Sequence, residues 1–329
     1  MSKFNQLAII DIPMLTKDEL ETLLQHTNEI LLLNTNNHNI NDEHVKTIQS
    51  IDEIKQADAI VTRTGEITKE LIDSCSNLKY IGAYTTGFNN IAVKHAQNKN
   101  ITVTHVPGYA NIAVAEHIIG QLLFLCRRFQ IQHKQVINKT AKYGGPLGYE
   151  LHGRTLGIVG LGRLGTELAK RLQAFGCKLC YYDIFRQEQK EKDMGIEFID
   201  NIDELIAESD LISIHMPLTE QTKNMFNKER IKAMKEWSVL INTARGEIVD
   251  NEALIEETNS GRMFGISDVG FAEHPELLDK INKDNHNLIL SHHSAFNTAE
   301  AFERRKQIFL ENIKNYLSGE KAFEVRLFS

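Results

Sequence analysis

Residues 155–165 read TLGIVGLGRLG, and this stretch decides the fold. An apolar strand runs directly into a Gly-x-Gly-x-x-Gly motif, and a helical pattern begins directly after it. In that context Gly160 permits a tight turn, Gly162 lets the backbone approach a pyrophosphate, and Gly165 allows helix and strand to pack closely. The helix N-terminus would supply free amides and a positive dipole end. The stretch predicts a dinucleotide site, and the residues predicted to line it are Gly160, Gly162, Arg163, Leu164 and Gly165.

An acidic residue stands where such a site needs one. Asp183 follows the next apolar run, residues 178–182, and a carboxylate at the end of that strand accepts hydrogen bonds from the adenosine ribose hydroxyls. A 2′-phosphate would meet this charge at close range, so the sequence favours NAD over NADP. Arg186, three residues later, keeps NADP open as the alternative.

Short apolar runs alternate with amphipathic stretches along the whole chain, a pattern typical of parallel strands joined by helices. We therefore predict an α/β fold with a Rossmann-type doubly wound parallel sheet and a second α/β sheet, divided near Pro107-Gly108, before a helix from about Asn111 to Arg128. An Asn-rich stretch at Asn34–Asn41 is predicted to be a loop. The predicted strands are Leu7–Ile10, Ile30–Leu33, Ala59–Thr62, Leu78–Ala83 and Ile101–Thr104, then Thr155–Val159, Lys178–Tyr182, Leu211–His215, Val239–Asn242, Phe264–Asp268 and Leu288–Leu290.

Charge and composition narrow the classes of partner. The 329 residues include 37 basic and 44 acidic side chains, a net charge of −7, so no global positive field would attract nucleic acid or an anionic membrane. The N-terminus, Met1–Met14, lacks a signal-peptide pattern, and four scattered cysteines suit a reducing compartment, so we expect a cytoplasmic protein.

Two pairs of residues are of types that bind metals, but in neither pair are the two side chains predicted to reach the same metal ion. Cys177 and Cys180 form a Cys-x-x-Cys in a predicted strand, where residues three apart face opposite sides of the sheet. His292 and His293 are neighbours in an extended segment and would also point in opposite directions. We expect no metal site.

Several ordered motifs resemble the D-isomer-specific 2-hydroxyacid dehydrogenase family, over most of the chain. The motifs that carry the resemblance are Gly153–Gly165, His215–Thr219, Ile241–Gly246 with Val249-Asp250, Asp268 with Glu273, and His293 with Ala295 and Thr298. Several motifs in the family's order are more specific than any one of them alone.

The resemblance implies that Arg245, Glu273 and His293 are catalytic. Taken singly, each is an ordinary surface residue, but together they match the reduction of a 2-keto acid. Negative charge develops on the carbonyl oxygen, so a cation must stabilise it and an acid must deliver a proton. The planar fork of Arg245 can bridge carboxylate and carbonyl. His293 would donate the proton, and Glu273 would orient the imidazole ring of His293.

Other site residues follow from the resemblance more loosely. Strand ends at Thr243, Ala244 and Asp268 would hold the nicotinamide and its ribose, with Pro217 nearby. Thr86 and Gly87, in the segment Tyr84–Ile91, match the family loop whose backbone amides bind the substrate carboxylate.

The resemblance also implies a domain organisation. A flavodoxin-like substrate domain would comprise residues 1–105 and 296–329, and a dinucleotide-binding domain residues 106–295. Family precedent and the apolar helix from Asn111 suggest a homodimer. Asn89, Gly270, His274 and His292 depart from the usual family pattern, which affects the shape of the substrate pocket and removes no catalytic group.

The substrate stays open between related acids. The segments Thr86–Asn89 and Val106–Tyr109 are most similar to the hydroxypyruvate and glyoxylate reductase branch, which includes glycerate dehydrogenase. D-lactate dehydrogenase is the enzymatic alternative. The alternative from another functional class is a non-catalytic protein that senses NAD. The C-terminal-binding corepressors resemble the family in fold and in the three catalytic residues, so fold alone does not exclude this alternative.

Overall fold

A computed structural model gives the architecture and describes residues 3–12, 15–34 and 42–325. The chain folds into two compact units, Met1–Tyr109 with Thr298–Ser329 and Ala110–Asn297. The sequence-based boundaries, after residues 105 and 295, lie a few residues before these divisions. Residues 35–41 of the predicted Asn-rich loop lie outside the described part of the chain.

The first unit is built on a six-stranded parallel sheet in the order β3-β2-β1-β4-β5-β6. Without the short edge strand β3, the order of the other five is the flavodoxin-like 2-1-3-4-5. The elements are β1 (Phe4–Ile10), α1 (Lys17–Leu24), β2 (Thr27–Leu33), β3 (Val45–Thr47), β4 (Ala59–Thr62), α2 (Lys69–Ser74), β5 (Tyr80–Ala83), α3 (Val93–Asn98), β6 (Thr102–Thr104) and, from the C-terminal segment, a long helix at Ala299–Ser318.

That long helix is held to the first unit by polar contacts as well as by packing. Asn312 donates from Nδ2 to the carbonyl of His105 at 2.8 Å, and Glu324 forms an antiparallel bridge with Thr104. The C-terminal segment thereby continues the edge of the sheet beside β6. The first unit is consequently made of two separate stretches of chain.

A buried cation lies where this helix meets the end of β5. Arg305 is only 4% exposed, and its guanidinium carbon lies 4.4 Å from the ring centroid of Tyr84 and 4.7 Å from that of Phe302. Tyr84 donates its hydroxyl proton to buried Glu19 at 2.6 Å. Because desolvated cation–π contacts contribute about 2 kcal/mol, the aromatic rings offset part of the cost of burying Arg305.

The second unit contains a seven-stranded parallel sheet in the order β13-β12-β11-β10-β7-β8-β9. This is the Rossmann order with one additional strand, and the order reverses between β7 and β10. The elements are α4 (Asn111–Cys126), α5 (Phe129–Ile137), β7 (Thr155–Val159), α6 (Arg163–Ala174), β8 (Lys178–Tyr182), α7 (Glu188–Met194), β9 (Glu197–Phe198), α8 (Ile202–Glu208), β10 (Leu211–Ile214), α9 (Lys228–Ala233), β11 (Val239–Asn242), α10 (Asn251–Asn259), β12 (Phe264–Ser267) and β13 (Leu288–Leu290); the long C-terminal helix of the first unit is α11.

Apolar layers cover both faces of the second sheet. One layer packs α4 and α6 on the sheet, and the other packs α8, α9 and α10 on the opposite face. Cys177 belongs to the first layer and Cys180 to the second, as their spacing predicted. Burial raises the pKa of each thiol to about 11. The fold class predicted from the alternating apolar runs is confirmed.

The structure differs from the sequence-based elements in a few places. Strands β3 and β9, three and two residues long, were not predicted. The helix predicted to reach Arg128 ends at Cys126, since Arg128 adopts a left-handed conformation with φ +56° and a new helix follows. Within residues 3–12, 15–34 and 42–325, no helix has the length and apolar character needed to cross a membrane.

Candidate functional site

The glycine-rich turn between β7 and α6 has the geometry that its sequence predicted. Gly160 has φ +97°, and a Cβ there would lie 3.0 Å from the carbonyl carbon of His215. A Cβ on Gly165 would lie 2.4 Å from the carbonyl oxygen of Gly160, so only glycine allows α6 to approach β7 this closely. At Gly162 no atom lies within 4 Å of the Cβ position. The backbone is therefore tightly packed at Gly160 and Gly165, whereas there is free space beside Gly162.

The open side of the turn fits a dinucleotide. Gly162 is the N-cap of the twelve-residue helix α6 and offers no side-chain cap, so the first amides of the helix remain available to a phosphate. Asp183, at the end of β8, accepts a hydrogen bond from the amide of Leu161 at 2.8 Å through one carboxylate oxygen. Arg163 and Leu164 form the first turn of α6.

Unpartnered polar atoms also lie at the carboxyl ends of neighbouring strands. Within the described residues, Oγ1 of Thr243 and both ring nitrogens of His215 are buried without a hydrogen-bond partner. Burial lowers the pKa of His215 to about 3, so its ring stays neutral. Buried polar atoms are nearly always satisfied, so these atoms are consistent with a ligand over the ends of β10 and β11. Pro217 follows β10 and Ala244 precedes Arg245 in this region.

Arg245 lies in a turn that its neighbours hold closed. The side chain of Asn242, at the end of β11, donates to the carbonyl of Arg245 at 2.8 Å and accepts from the amide of Ala244 at 3.0 Å. The guanidinium of Arg245 is half-buried and donates to the carbonyl of Ala244 at 2.7 Å. The strand end therefore fixes both the backbone and the direction of this cation.

Two glycines pack the arginine turn against the segment that carries Glu273. A Cβ on Gly246 would lie 2.5 Å from the Cα of Gly270, which itself has φ +90°. The amide of Gly270 donates to Oε2 of Glu273 at 2.7 Å. Gly270 departs from the usual family run, and the structure gives this glycine a role in the approach of the two segments and in orienting the glutamate.

Glu273 and His293 meet at the same edge of the sheet. Oε1 of Glu273 lies 3.6 Å from Nδ1 of His293, and each side chain is half exposed. This separation is slightly longer than a hydrogen bond. The other ring nitrogen, Nε2, lies on the far side of the ring from Glu273. His293 has a left-handed backbone with φ +55°.

Asp268 holds the His293 segment and was not recognised in that role from the sequence. It is 2% exposed, and its carboxylate accepts hydrogen bonds from Oγ of Ser291 at 2.5 Å and from the amides of Ser294 and Ala295. Its carbonyl accepts from the amide of His293 at 2.7 Å. Both carboxylate oxygens therefore already have donors, and its predicted contact with nicotinamide stays a prediction.

Helix α4 adds two polar side chains behind this aspartate. His117 approaches Oγ of Ser291 at 3.2 Å through Nε2, and Gln121 donates to the same hydroxyl at 3.2 Å. His117 and Gln121 are four residues apart in a largely apolar helix, so they share one face. That pattern was the available sequence signal for this second layer of contacts.

The loop predicted to bind the substrate carboxylate lies entirely within the first unit. Thr86 donates its hydroxyl to the carbonyl of Val106 at 2.7 Å, and Thr85 donates to the carbonyl of Gly87 at 2.6 Å. Within the described residues, the amides of Thr86 and Gly87 have no hydrogen-bond acceptor. The loop therefore offers two adjacent donors on a braced backbone. No group of three His, Cys, Asp or Glu side chains in the described ranges could hold a metal ion.

Comparisons with known proteins identify the family of the chain. Residues 119–295 match the family model described as D-isomer specific 2-hydroxyacid dehydrogenase, NAD binding domain. Similar curated proteins include a glyoxylate reductase of Thermofilum pendens, 38% identical over 81% of this chain and 80% of the relative, and a hydroxypyruvate reductase of Thermotoga maritima, 37% identical over 83% and 89%.

A solved structure gives the same result for the fold. The D-lactate dehydrogenase of Aquifex aeolicus, complexed with NAD and lactic acid, is 29% identical and superposes with a TM-score of 0.79 over 95% of this chain and 96% of that one. The sequence motifs, the site and the relatives lead to one conclusion. The chain belongs to the D-isomer-specific 2-hydroxyacid dehydrogenase family.

Proposed function

We propose that the protein uses NADH to reduce a small 2-keto acid to the D-2-hydroxy acid, with glyoxylate or hydroxypyruvate as the preferred substrate. The observation that carries this proposal is the pair of Glu273 and His293, 3.6 Å apart, beside the turn that carries Arg245 at the carboxyl edge of a Rossmann sheet. Ligands of such sheets bind at that edge.

His293 acts as the proton donor in reduction. Its Nδ1 faces Glu273, so Nε2 is the atom that delivers a proton to the carbonyl oxygen of the substrate. Glu273 orients the ring through this contact with Nδ1. In the reverse direction the same Nε2 takes the proton from the hydroxyl group.

Arg245 stabilises the charge that develops on the carbonyl oxygen. Its guanidinium is fixed through Ala244 and Asn242, so little reorganisation is needed as the negative charge forms. Its planar fork also suits a carboxylate. In the first unit, the paired amides of Thr86 and Gly87 are the groups that would bind a substrate carboxylate. Bound NADH supplies the hydride.

The cofactor is bound by the glycine-rich turn and the strand ends. Gly160, Gly162, Arg163, Leu164 and Gly165 receive the pyrophosphate and Asp183 the adenosine ribose. The nicotinamide half lies at Pro217, Thr243, Ala244 and Asp268. The charge of Asp183 at the ribose supports NADH rather than NADPH.

The substrate is proposed from the relatives. Proteins named glyoxylate reductase and hydroxypyruvate reductase are 37–38% identical to this chain over more than four-fifths of its length. D-lactate dehydrogenase is a second candidate, because a protein of that name is a close structural neighbour with NAD and lactic acid bound. Both reactions use the same catalytic groups and differ in the side chain of the acid.

We further propose that Ala110–Asn297 is the dinucleotide-binding domain and that the first unit is the substrate domain. The family model for NAD binding matches within the former unit. The four cysteines are free and buried, which supports a cytoplasmic location. The net charge of −7 supports a small-molecule partner rather than nucleic acid or a membrane.

The protein is proposed to be a homodimer joined through the dinucleotide-binding unit. Helix α5 has no buried residue, and Val136 and Ile137 on it are 64% and 66% exposed. Tyr143 and Leu147 in the following segment are exposed as well. A second copy of the chain covering this apolar surface would remove it from water.

We expect purified protein to oxidise NADH with glyoxylate or hydroxypyruvate at a higher kcat/KM than with pyruvate. Steady-state rates over a panel of 2-keto acids, measured by NADH absorbance, test this. A clear preference for pyruvate would favour D-lactate dehydrogenase. NADH binding with no turnover of any acid in the panel would instead favour the non-catalytic alternative.

Replacement of His293 by Gln should lower kcat at least ~100-fold, because general acid catalysis contributes about 10²–10⁴-fold. The dissociation constant for NADH, measured by fluorescence titration, should stay within about twofold. His292→Gln is the matched control and should retain activity. Equal losses in the two variants would contradict the assignment of His293.

Matched alanine substitutions should separate the roles of two glycines. Gly165→Ala should lower the free energy of unfolding by about 1–3 kcal/mol, because the new methyl group meets the carbonyl of Gly160. Gly162→Ala should change stability by less than ~1 kcal/mol but weaken NADH binding about tenfold or more, since the methyl group enters the space for pyrophosphate. Urea unfolding and NADH titration measure the two effects, and unimpaired NADH binding by the Gly162 variant would contradict the cofactor site.

Ile137→Asp should convert the dimer to a monomer, because it places a charge in the proposed apolar interface. Light scattering after size-exclusion chromatography measures the mass. Leu278→Asp, at another exposed apolar side chain of the same unit, should leave the dimer intact. A wild-type protein that is monomeric at micromolar concentration would disprove the proposal.

A further inference from the structure

Arg186 lies three residues after Asp183 but points away from the cofactor turn. Its Nε and Nη2 donate to the two carboxylate oxygens of Glu191 at 3.1 and 3.0 Å. Its guanidinium carbon lies 5.2 Å from the ring centroid of Phe198, in strand β9. Since β9 pairs with β8 on the side opposite β7, these contacts direct the arginine away from the glycine-rich turn.

Glu191 is itself held in place by the fold. It lies on α7, its side chain is 17% exposed, and it accepts a hydrogen bond from the hydroxyl of buried Tyr181 at 2.7 Å. That hydroxyl in turn accepts from the amide of Gln187 at 2.7 Å. Hydrogen bonds from Arg186 and Tyr181 hold the pKa of Glu191 below its usual range, so it is ionised at neutral pH.

The geometry of this pair differs from that of most surface ion pairs. Exposed pairs contribute little because both long side chains must be ordered. Here the hydroxyl of buried Tyr181 orders the carboxylate of Glu191. Arg186 contacts this carboxylate through two hydrogen bonds, and such bidentate pairs are stronger than pairs with one hydrogen bond. The pair is therefore able to keep Arg186 in one position.

Asp183 is left facing the glycine-rich turn. One carboxylate oxygen of Asp183 accepts a hydrogen bond from the amide of Leu161. The ammonium of Lys190 donates to the carbonyl of Leu161 at 2.6 Å. Burial lowers the pKa of Lys190, and the charge of Asp183 opposes that shift. Lys190 is thus engaged with the turn, while Arg186 is the cation that the sequence places within reach of a 2′-phosphate.

We propose that Glu191 sets the preference for NADH by withholding Arg186 from the adenosine ribose site. A 2′-phosphate then meets the carboxylate of Asp183 without a guanidinium to offset the repulsion. Glu191 is a specificity-determining residue that acts through Arg186, which it contacts directly. The inference deepens the proposed function and rests on its assignment of Asp183 to the ribose.

Glu191→Gln tests the inference, because it preserves shape and removes the charge that holds Arg186. The ratio of kcat/KM for NADPH to that for NADH should rise about tenfold, mainly through a lower KM for NADPH, as expected for one new charge-assisted contact. With NADH, kcat should stay within about twofold. The double variant Glu191→Gln with Arg186→Gln should return the ratio to the wild-type value.

Glu188→Gln is the matched control, since it removes the same charge from the same helix without a hydrogen bond to Arg186. This control should leave the ratio of kcat/KM for NADPH to that for NADH unchanged. An equal rise in this control, or a rise that persists in the double variant, would show a general effect of charge and overturn the inference. An unchanged ratio in Glu191→Gln would also overturn it.

Binding measurements keep the inference separate from the proposed reaction. Calorimetric titration with 2′,5′-ADP and with 5′-AMP probes the ribose site without turnover, so the preference for the 2′-phosphate is measured even if no 2-keto acid reacts. The affinity for 2′,5′-ADP relative to 5′-AMP should rise in Glu191→Gln and fall back in the double variant. If Glu191→Gln does not fold, Glu191→Asp shortens the side chain, breaks the bidentate contact and should raise the same ratio.

Discussion

The carboxylate of Asp268 is the interaction on which the candidate active site depends most. It lies directly after β12, and its three hydrogen-bond donors belong to the segment that follows β13. Because the group is buried, loss of these donors would leave a charge without compensation, a large penalty at this depth. The backbone of His293 is therefore held at the sheet, in a left-handed conformation that a free loop would seldom adopt.

The same logic applies to the other functional segments. In each case a buried polar side chain or a glycine at or soon after the end of a strand of the second sheet fixes the loop that follows. Asn242 closes the arginine turn, Gly160 shapes the cofactor turn, and Gly246 meets Gly270 so that the arginine and glutamate segments share a backbone contact. The long side chains of the candidate site are thus positioned by short residues that lie near the strand ends.

Much of this could be predicted from the sequence, for physical reasons. Central parallel strands are buried on both faces, so they read as continuous apolar runs with clear limits, as at Val239–Asn242. The glycine-rich turn was predicted because three glycines and a later carboxylate occur at the spacing a dinucleotide requires. Strands β3 and β9 escaped notice because they are very short and lie at the sheet edges with partly polar sequences.

The remaining contacts join residues that are distant in sequence, so no local pattern reveals them. The brace from Ser291 to Asp268 and the Gly246–Gly270 contact depend on neighbouring strands coming together. The catalytic roles predicted for Arg245, Glu273 and His293 came from the resemblance to a family rather than from periodicity. The structure adds that Glu273 and His293 are adjacent and that the Arg245 turn packs against the glutamate segment.

The return of α11 to the first unit has a consequence for the order in which the protein is made. The ribosome completes Ala110–Asn297 before it adds the helix that supplies Arg305 and Asn312 to the first unit. A contiguous segment can begin to fold as it emerges, whereas the first unit is complete only after its last helix has been made. The aromatic surroundings of Tyr84, which include Phe302 and Phe309, are therefore the last part of the first unit to be completed.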